Sequence, residues 1–181
     1  MVRAWYFNDD GSDRRSEHRK VPPEYVSVEE LFTNVGVECY RIDVSTYDND
    51  CILAEIKKKR GYKYEDQLIC TKENFNNIKS YYKEHKHAEE EMRLVYAGSG
   101  YFDVRDQQER WIRMFVSAGD MVVIPSGCYH RFTHDYNEYI HLKRFFINDP
   151  VWKATLRSAG EGDSRPTHAT PVQQELLQAA N

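Results

Sequence analysis

Three histidines and one glutamate in the middle of the chain have side chains that bind transition metals. His85, His87 and Glu91 lie close together, and His130 follows the turn sequence Pro125-Ser126-Gly127. Successive side chains of a strand point to opposite faces, so the three odd-numbered residues share a face if one strand continues through them. Imidazole nitrogens together with a carboxylate suit iron, nickel, manganese, cobalt or zinc. The pattern therefore predicts a site for one metal ion.

The number of these ligands determines what else the metal can bind. Three histidines and one glutamate leave two positions of an octahedron for water or for a chelating substrate. Glu89 has the same parity as Glu91 and lies closer to His87, so spacing alone does not decide between the two carboxylates. His18 and His168 lie in polar segments, where a solvated or hydrogen-bonded histidine is the simpler interpretation.

Two arginines are candidates for binding an anionic substrate. Arg93 lies two residues past Glu91 on the same predicted face, and Arg144 lies among apolar neighbours of a later strand. A guanidinium in such surroundings needs an anionic partner, which is either a bound substrate or a structural carboxylate. His141 faces the opposite side from Arg144 if that strand is regular.

The elements that position these residues change character at residue 85. From there the apolar pattern has a period of two, which predicts short strands joined by turns and an antiparallel sandwich or barrel. Ala97-Gly98-Ser99-Gly100 is predicted to be a glycine-rich hairpin connection rather than a phosphate-binding loop. The predicted strands are 93–96, 101–104, 111–116, 121–124, 129–133 and 140–147.

Helices are predicted before this region. Ser27 and Glu30 form a capping box that predicts a short helix through about Phe32. Asp50 is the predicted N-cap of a second helix that runs to Arg60 and ends at Gly61. A third helix over about 74–83 would lead into His85, and a last one is predicted over about 171–180.

The basic run Lys57-Lys58-Lys59-Arg60 has two interpretations. It could be a nuclear address or a nucleic-acid patch, but four cations at the end of a helix also complement the helix dipole. We interpret it as a solvated helix end. The chain has 25 Lys and Arg against 29 Asp and Glu, a net charge of −4, which favours neither nucleic acid nor an anionic membrane as partner.

Length and composition predict one globular domain over 1–181. The pattern along the chain divides this domain into a mixed α/β part (1–84), a metal-binding barrel (85–150) and a polar tail with a helix (158–181). No apolar run approaches the ~20 residues of a membrane helix. The four cysteines contain no C-x-x-C pair, so we expect reduced and mostly buried thiols. We expect a soluble monomer in the cytoplasm, with the nucleus as a second location.

The ligand pattern resembles the two motifs of the cupin superfamily. His85-x-His87-x3-Glu91, with Gly98 after six more residues, is similar to the first motif. The second is matched by Gly119-x5-Pro125-x-Gly127-x2-His130. Lys79 departs from the glycine that usually opens the first motif, and His134 departs from the asparagine that often ends the second. Neither departure removes a ligand, so the resemblance implies a mainly β (α+β) fold, a cupin-type antiparallel barrel or jelly roll.

A wider resemblance is to the eukaryotic acireductone dioxygenases, over about residues 1–157. Beyond Arg157 the sequence alone shows no likeness to that family. The segments that carry the resemblance are Met1–Tyr6, Gly98–Arg105, Trp111–Arg113, Tyr129–Thr133 and Pro150–Trp152.

The resemblance implies a metal set of His85, His87, Glu91 and His130, and so selects Glu91 over Glu89. It implies one Fe²⁺ per chain, with Ni²⁺ as an alternative metal. The implied reaction belongs to methionine salvage and cleaves the acireductone 1,2-dihydroxy-3-keto-5-methylthiopentene with O₂. With iron the products are 4-methylthio-2-oxobutanoate and formate; with nickel they are methylthiopropionate, formate and carbon monoxide.

The resemblance also implies roles for the remaining candidates. Arg93 and Arg144 match substrate-contacting arginines, while Phe132 and Trp152 would enclose the methylthio tail or pack in the core. His134 is not a ligand in the family, and we expect it at the surface or beside the site. Two other functions fit a cupin site: an isomerase or epimerase that does not use oxygen, and a non-enzymatic binding or regulatory protein.

Overall fold

Antiparallel strands dominate the fold, and the computed structural model describes residues 1–74, 79–148 and 154–158. The helices are α1 (Val28–Val35) and α2 (Cys51–Arg60), and 3₁₀ turns cover Val44–Asn49 and Lys79–Tyr82. The strands are β1 (Arg3–Tyr6), β2 (Tyr25–Val26), β3 (Glu38–Arg41), β4 (Tyr64–Thr71), β5 (His85–Lys86), β6 (Glu91–Arg105), β7 (Trp111–Ser117), β8 (Asp120–Ile124), β9 (His130–His134), β10 (Tyr139–Phe146) and β11 (Thr155–Leu156).

The long strand β6 belongs to two sheets and joins them. Its first half pairs with β8 and β10, which continue to β3 and β4. Its second half pairs with β7 and β9. Beyond these, β7 pairs with β1 and then β2, while β9 pairs with β5 and then β11. Every pairing is antiparallel, as the short alternating segments predict.

The predicted hairpin at 97–100 is wrong, because these residues continue β6 without a turn. Gly98 has φ +77°, and the register between β6 and β10 shifts between His141 and Leu142, so the irregularity is a bulge. A Cβ at Gly98 would lie 2.2 Å from the carbonyl oxygen of Tyr139, so strand β10 crosses too closely for any side chain. Bulges and hairpin turns both use glycine at positive φ, which is why the local pattern did not distinguish them.

The bulge changes which residues of β6 face the interior. Before it the odd-numbered Glu91, Arg93 and Val95 point inward, and after it the even-numbered Phe102 and Val104 do. One strand therefore supplies charged residues to the site from its first half and apolar residues from its second half.

The two predicted helices of the first half are confirmed, and their ends follow from local chemistry. Ser27 and Glu30 form the capping box, and α1 extends to Val35, three residues beyond the predicted end. The Asp50 side chain accepts from the first turn of α2, and Gly61 ends that helix with φ +73°.

The third predicted helix is only partly described, since residues 75–78 lie outside the described part. The remainder, Lys79–Tyr82, is a 3₁₀ turn rather than an α-helix, and it leads the chain towards β5. The predicted helix over 171–180 and most of the predicted tail also lie outside the described residues.

Two apolar clusters fix the elements around β6. One fills the space between the sheets and includes Leu31 and Val35 of α1. In the other, Leu53 and Ile56 of α2 pack against a group of side chains from β6, β8 and β10. Burial of one such side chain contributes about 1.5–3 kcal/mol. Helix α2 is thereby held against the face of β6 opposite the site.

All four cysteines are free thiols. Cys70 and Cys128 are buried, Cys39 is partly buried and Cys51 is exposed, so half of the set is buried. Burial raises the pKa of both Cys39 and Cys70 to about 12, which keeps them protonated. Within the described residues, neither helix has the length and apolar character needed to cross a membrane.

Candidate metal centre

The three predicted histidines converge. Each of His85, His87 and His130 offers a ring nitrogen, and these nitrogens lie within 4.8 Å of one another. His85 and His130 are direct partners in the β5–β9 pairing, and their ring centroids are 4.4 Å apart. His87 lies just beyond β5, with its ring 5.1 Å from His85 and 5.3 Å from His130.

Hydrogen bonds to the backbone fix which ring nitrogens can bind a metal. Nδ1 of His85 lies 2.7 Å from the Lys83 carbonyl oxygen, and Nδ1 of His130 lies 2.9 Å from that of Cys128. A carbonyl only accepts, so each Nδ1 donates and each neutral ring presents the lone pair of Nε2. Carbonyl partners of this kind orient metal-bound histidines.

The Nε2 atom of His130 shows that a metal fits this place. It is buried and makes no hydrogen bond within the described residues. A buried polar atom without a partner costs about 1–3 kcal/mol. Burial and the neighbouring His130 lower the pKa of His85 to about 4, so its ring is neutral and able to coordinate near neutral pH. A metal ion would satisfy these lone pairs.

Glu91 places a carboxylate beside two of the histidines. Its Oε2 lies 3.1 Å from Nε2 of His87 and 3.4 Å from Nε2 of His130. Arg93 approaches the same oxygen at 2.9 Å. Burial opposes ionisation, but Arg93 and His130 hold the pKa of Glu91 well below its usual range. The carboxylate is therefore charged, as a metal ligand must be.

The structure separates Glu91 from the alternative Glu89. The Glu89 side chain is exposed and accepts a hydrogen bond from Asn148 at 3.2 Å. Glu91 is 7% exposed and lines the cavity beside the histidines. The geometry therefore offers Glu91 as the carboxylate of the site.

One strand does not run from His85 to Arg93, so the condition under which the sequence placed these residues on one face is not met. Strand β5 ends at Lys86 and β6 begins at Glu91, so residues 87–90 form a connecting loop. The backbone N–H of Gly127 donates to the His87 carbonyl at 2.9 Å, and Ser126 Oγ donates to the Ala88 carbonyl at 2.6 Å. The turn that precedes His130 therefore also holds the loop that contains His87.

A cavity of about 300 Å³ opens beside the histidines. One end carries the metal-ligand candidates and two arginines, and the rest is mainly apolar. Its apolar lining comes from both sheets, the 3₁₀ turn and the C-terminal described segment, and consists of Leu68, Tyr81, Phe102, Phe132, Leu142 and Ala154.

Both predicted arginines line this cavity, and both also contact carboxylates. Arg93 is 5% exposed, and its Nη2 contacts Glu91. Arg144 donates two hydrogen bonds of 2.6 Å each to Asp66 on β4. Arg144 therefore has a structural carboxylate as its partner, which is one of the two possibilities that the sequence left open. Its side chain also forms part of the cavity wall.

Of the two aromatic residues predicted to bind the substrate tail, the structure describes only Phe132. Phe132 lines the cavity and packs against Phe102, with ring centroids 5.0 Å apart. Trp152 lies outside the described residues. Sequence reasoning missed Phe102, because its parity relative to Glu91 is reversed by the bulge between Val95 and Ala97.

The other histidines lie away from the triad. His134 is fully buried, with Nδ1 donating to the Asp135 carbonyl at 2.9 Å, so the surface placement is wrong. His18 is buried, with ring nitrogens 3.0 Å from the carbonyls of Asn8 and Asp13, in agreement with a hydrogen-bonded role. The prediction for His168 lies outside the described residues.

The basic run at the end of α2 is not uniformly solvated, which corrects the sequence interpretation. The Arg60 side chain is 4% exposed and forms ion pairs with Glu38 and Glu90. Lys57 pairs with Glu65 at 3.1 Å. Sequence reasoning missed the burial of Arg60 because its two partners are distant along the chain.

Comparison with known proteins gives consistent matches. The model of the ARD/ARD' family matches residues 3–154. The "Acireductone dioxygenase" of Drosophila pseudoobscura pseudoobscura is 42% identical over 183 residues, covering 98% of each chain. That of Ixodes scapularis is 41% identical over 182 residues, covering 98% of this chain and 100% of the tick protein.

A solved structure shares the fold. "Acireductone dioxygenase from Bacillus anthracis with cadmium ion in active center" matches with a TM-score of 0.65 and 17% identity, over 86% of this chain and 99% of that chain. The predicted cupin-type barrel is thereby confirmed. The family model ends at residue 154, close to the expected limit at Arg157, whereas the alignment with the Drosophila protein covers 98% of this chain and extends into the tail.

Replacing His87 with alanine should weaken metal binding at least 100-fold, because it removes one of the converging nitrogens. Isothermal titration of metal-free protein with Ni²⁺ measures this. His141→Ala is the matched control, since His141 lies outside the cavity and contacts Gln67 at 2.9 Å. Equal affinities of the two variants would show that the histidine cluster is not the metal site.

Proposed function

The chain belongs to the ARD/ARD' family, and on this basis we propose that it is an acireductone dioxygenase of methionine salvage. The observation that carries the proposal is the position of the histidine triad, with Glu91, at the charged end of an otherwise apolar cavity. A small substrate with one chelating anionic end and one apolar end is complementary to such a cavity.

We propose that His85, His87, Glu91 and His130 hold one Fe²⁺ per chain, with Ni²⁺ as an alternative metal. Three imidazoles and a carboxylate suit a first-row divalent ion, and the cadmium ion named for the Bacillus anthracis relative supports a divalent metal in this fold. When bound, the metal supplies Lewis-acid stabilisation to an anionic substrate that chelates it.

The charges around the cavity support an anionic substrate. The guanidinium groups of Arg93 and Arg144 form ion pairs with the carboxylates of Glu91 and Asp66, so the net charge of these four groups is zero. A divalent metal would then leave two positive charges, which an enediol substrate in its dianionic form would neutralise. Because Arg93 is buried, its attraction for such an anion is weakly screened by solvent.

The apolar wall would bind the methylthio tail. Phe102, Phe132 and Leu142 present aromatic and branched surface, and sulfur packs favourably against aromatic rings. Holding the tail against this wall would orient the enediol towards the charged end and exclude water from it. The cavity residues thereby determine which end of the substrate lies near the histidines.

The proposed reaction consumes O₂ and cleaves the carbon chain of the acireductone. The electron-rich enediol is itself the reductant. In the iron form the products would be 4-methylthio-2-oxobutanoate and formate, and in the nickel form methylthiopropionate, formate and carbon monoxide. We also propose that the protein acts as a monomer in the cytoplasm, with the nucleus as a second location.

Metal-free protein loaded separately with Fe²⁺ and Ni²⁺ should consume O₂ when acireductone is added, and the two forms should give different products. Oxygen uptake is followed with an electrode, keto acid by chromatography and carbon monoxide by gas analysis. Absence of oxygen uptake with iron bound would overturn the dioxygenase proposal. Identical products from both forms would contradict the dependence on the metal.

Replacing Arg144 with methionine should raise KM for acireductone about 10- to 100-fold, because a charge-assisted contact to the substrate is lost. Lys143→Met is the control, since Lys143 pairs with Glu65 and does not line the cavity. The Arg144→Met variant leaves the Asp66 carboxylate without its ion-pair partner. Adding Asp66→Asn removes that unpaired charge. If this double variant recovers the wild-type KM, Arg144 serves only to neutralise Asp66.

A further inference from the structure

A buried cluster of charged and phenolic side chains lies behind the loop 87–90 and outside the cavity. We call it the Arg60 cluster, and it consists of Arg60, Glu38, Glu90, Tyr40 and Tyr62. Arg60 Nη1 donates to Glu90 at 2.6 Å, and its Nη2 donates to Glu38. The Tyr62 hydroxyl donates to Glu90, and the Tyr40 hydroxyl donates to Glu38.

Glu38 and Glu90 both offset the buried charge of Arg60. Its side chain is only 4% exposed, and those of Glu38 and Glu90 are 6% and 14% exposed. Burial alone would lower the pKa of Arg60, but the two carboxylates raise it, so the guanidinium stays charged. Loss of one partner from such a group leaves an uncompensated buried charge. The position of Glu90 is therefore strongly constrained.

The cluster ties Glu90 to rigid elements. Arg60 is the last residue of α2, whose residues Leu53 and Ile56 are buried in the second apolar cluster. Glu38 begins β3 and is paired in register with Val123 of β8. The loop is thus connected to a helix and a strand that do not themselves line the cavity.

Glu90 lies between two residues of the candidate metal centre. It directly precedes Glu91 in sequence and follows His87 by three residues. Glu89 is exposed, so within the loop only Glu90 directs a carboxylate into a buried network. The other side of the loop is held by the hydrogen bonds from Ser126 and Gly127 described above.

We propose that the Arg60 cluster positions the loop 87–90, and through it the side chains of His87 and Glu91, for metal binding. Arg60, Glu90 and Tyr62 act as positioning residues and do not touch the metal. Preorganised ligands bind more tightly because binding does not have to order them, and loss of supporting contacts typically costs 10- to 100-fold in metal affinity. The inference rests on the proposed metal centre.

The test compares metal affinity in three variants that alter the cluster. Arg60→Met and Glu90→Gln should each weaken Ni²⁺ binding about 10- to 100-fold, and Tyr62→Phe should weaken it several-fold. Binding is measured by isothermal titration of metal-free protein. Co²⁺ absorption spectra report ligand geometry directly, and we expect shifted, broader bands in the first two variants.

Asp135→Asn is the matched control for Glu90→Gln. Asp135 is also a buried carboxylate, and it accepts a 2.6 Å hydrogen bond from Ser99. It follows the end of β9 opposite to His130. This variant should lower the urea midpoint of unfolding while its Ni²⁺ affinity and Co²⁺ spectrum remain those of the wild type.

The double variant Arg60→Met with Glu90→Gln tests whether the pair acts as a unit. Its loss of affinity should be close to that of the more affected single variant, rather than the product of the two losses. If Arg60→Met does not fold, Glu90→Gln and Tyr62→Phe decide the question.

Folded variants that bind Ni²⁺ within twofold of the wild type and keep its Co²⁺ spectrum would overturn the positioning role. That result would leave the proposed function intact. A wild-type protein that binds no metal would overturn both proposals, so the two failures are distinguishable.

Discussion

The hydrogen bonds from Nδ1 of His85 and His130 to backbone carbonyls are the constraint on which the site depends. They fix both rings and direct the Nε2 lone pairs towards the place where His87 and Glu91 converge. Burying these lone pairs costs free energy unless something binds them. The antiparallel pairing of β5 with β9 brings the two rings together, so the fold itself maintains an arrangement that a metal ion would stabilise.

The bulge in β6 explains how a single strand can build a cavity with two chemically different ends. Glu91 and Arg93 enter from one sheet, and Phe102 enters from the other after the parity changes at the bulge between Val95 and Ala97. A regular strand would direct Phe102 away from the face that carries Glu91. The geometry therefore joins a charged end, suited to a chelating anion, to an apolar wall.

Features with local signals could be predicted from the sequence, whereas features that depend on distant contacts could not. The caps of α1 and α2 depend on residues a few positions apart, and both helices form as expected. The metal ligands could be identified by residue type and by two short motifs, which the fold then brings together. The Arg144–Asp66 pair joins residues 78 positions apart, and Arg60–Glu90 joins residues 30 positions apart. The hairpin predicted at Gly98 was wrong for a different reason, because glycine with a positive φ occurs in both turns and bulges.

In the proposed metal centre, three imidazoles and one carboxylate bind a single metal ion beside the cavity. X-ray absorption at the nickel edge of the Ni²⁺-loaded protein tests this most directly. We predict a first coordination shell of nitrogen and oxygen only, with the multiple scattering of about three imidazole rings. Sulfur in that shell, or the absence of imidazole scattering, would contradict the claim.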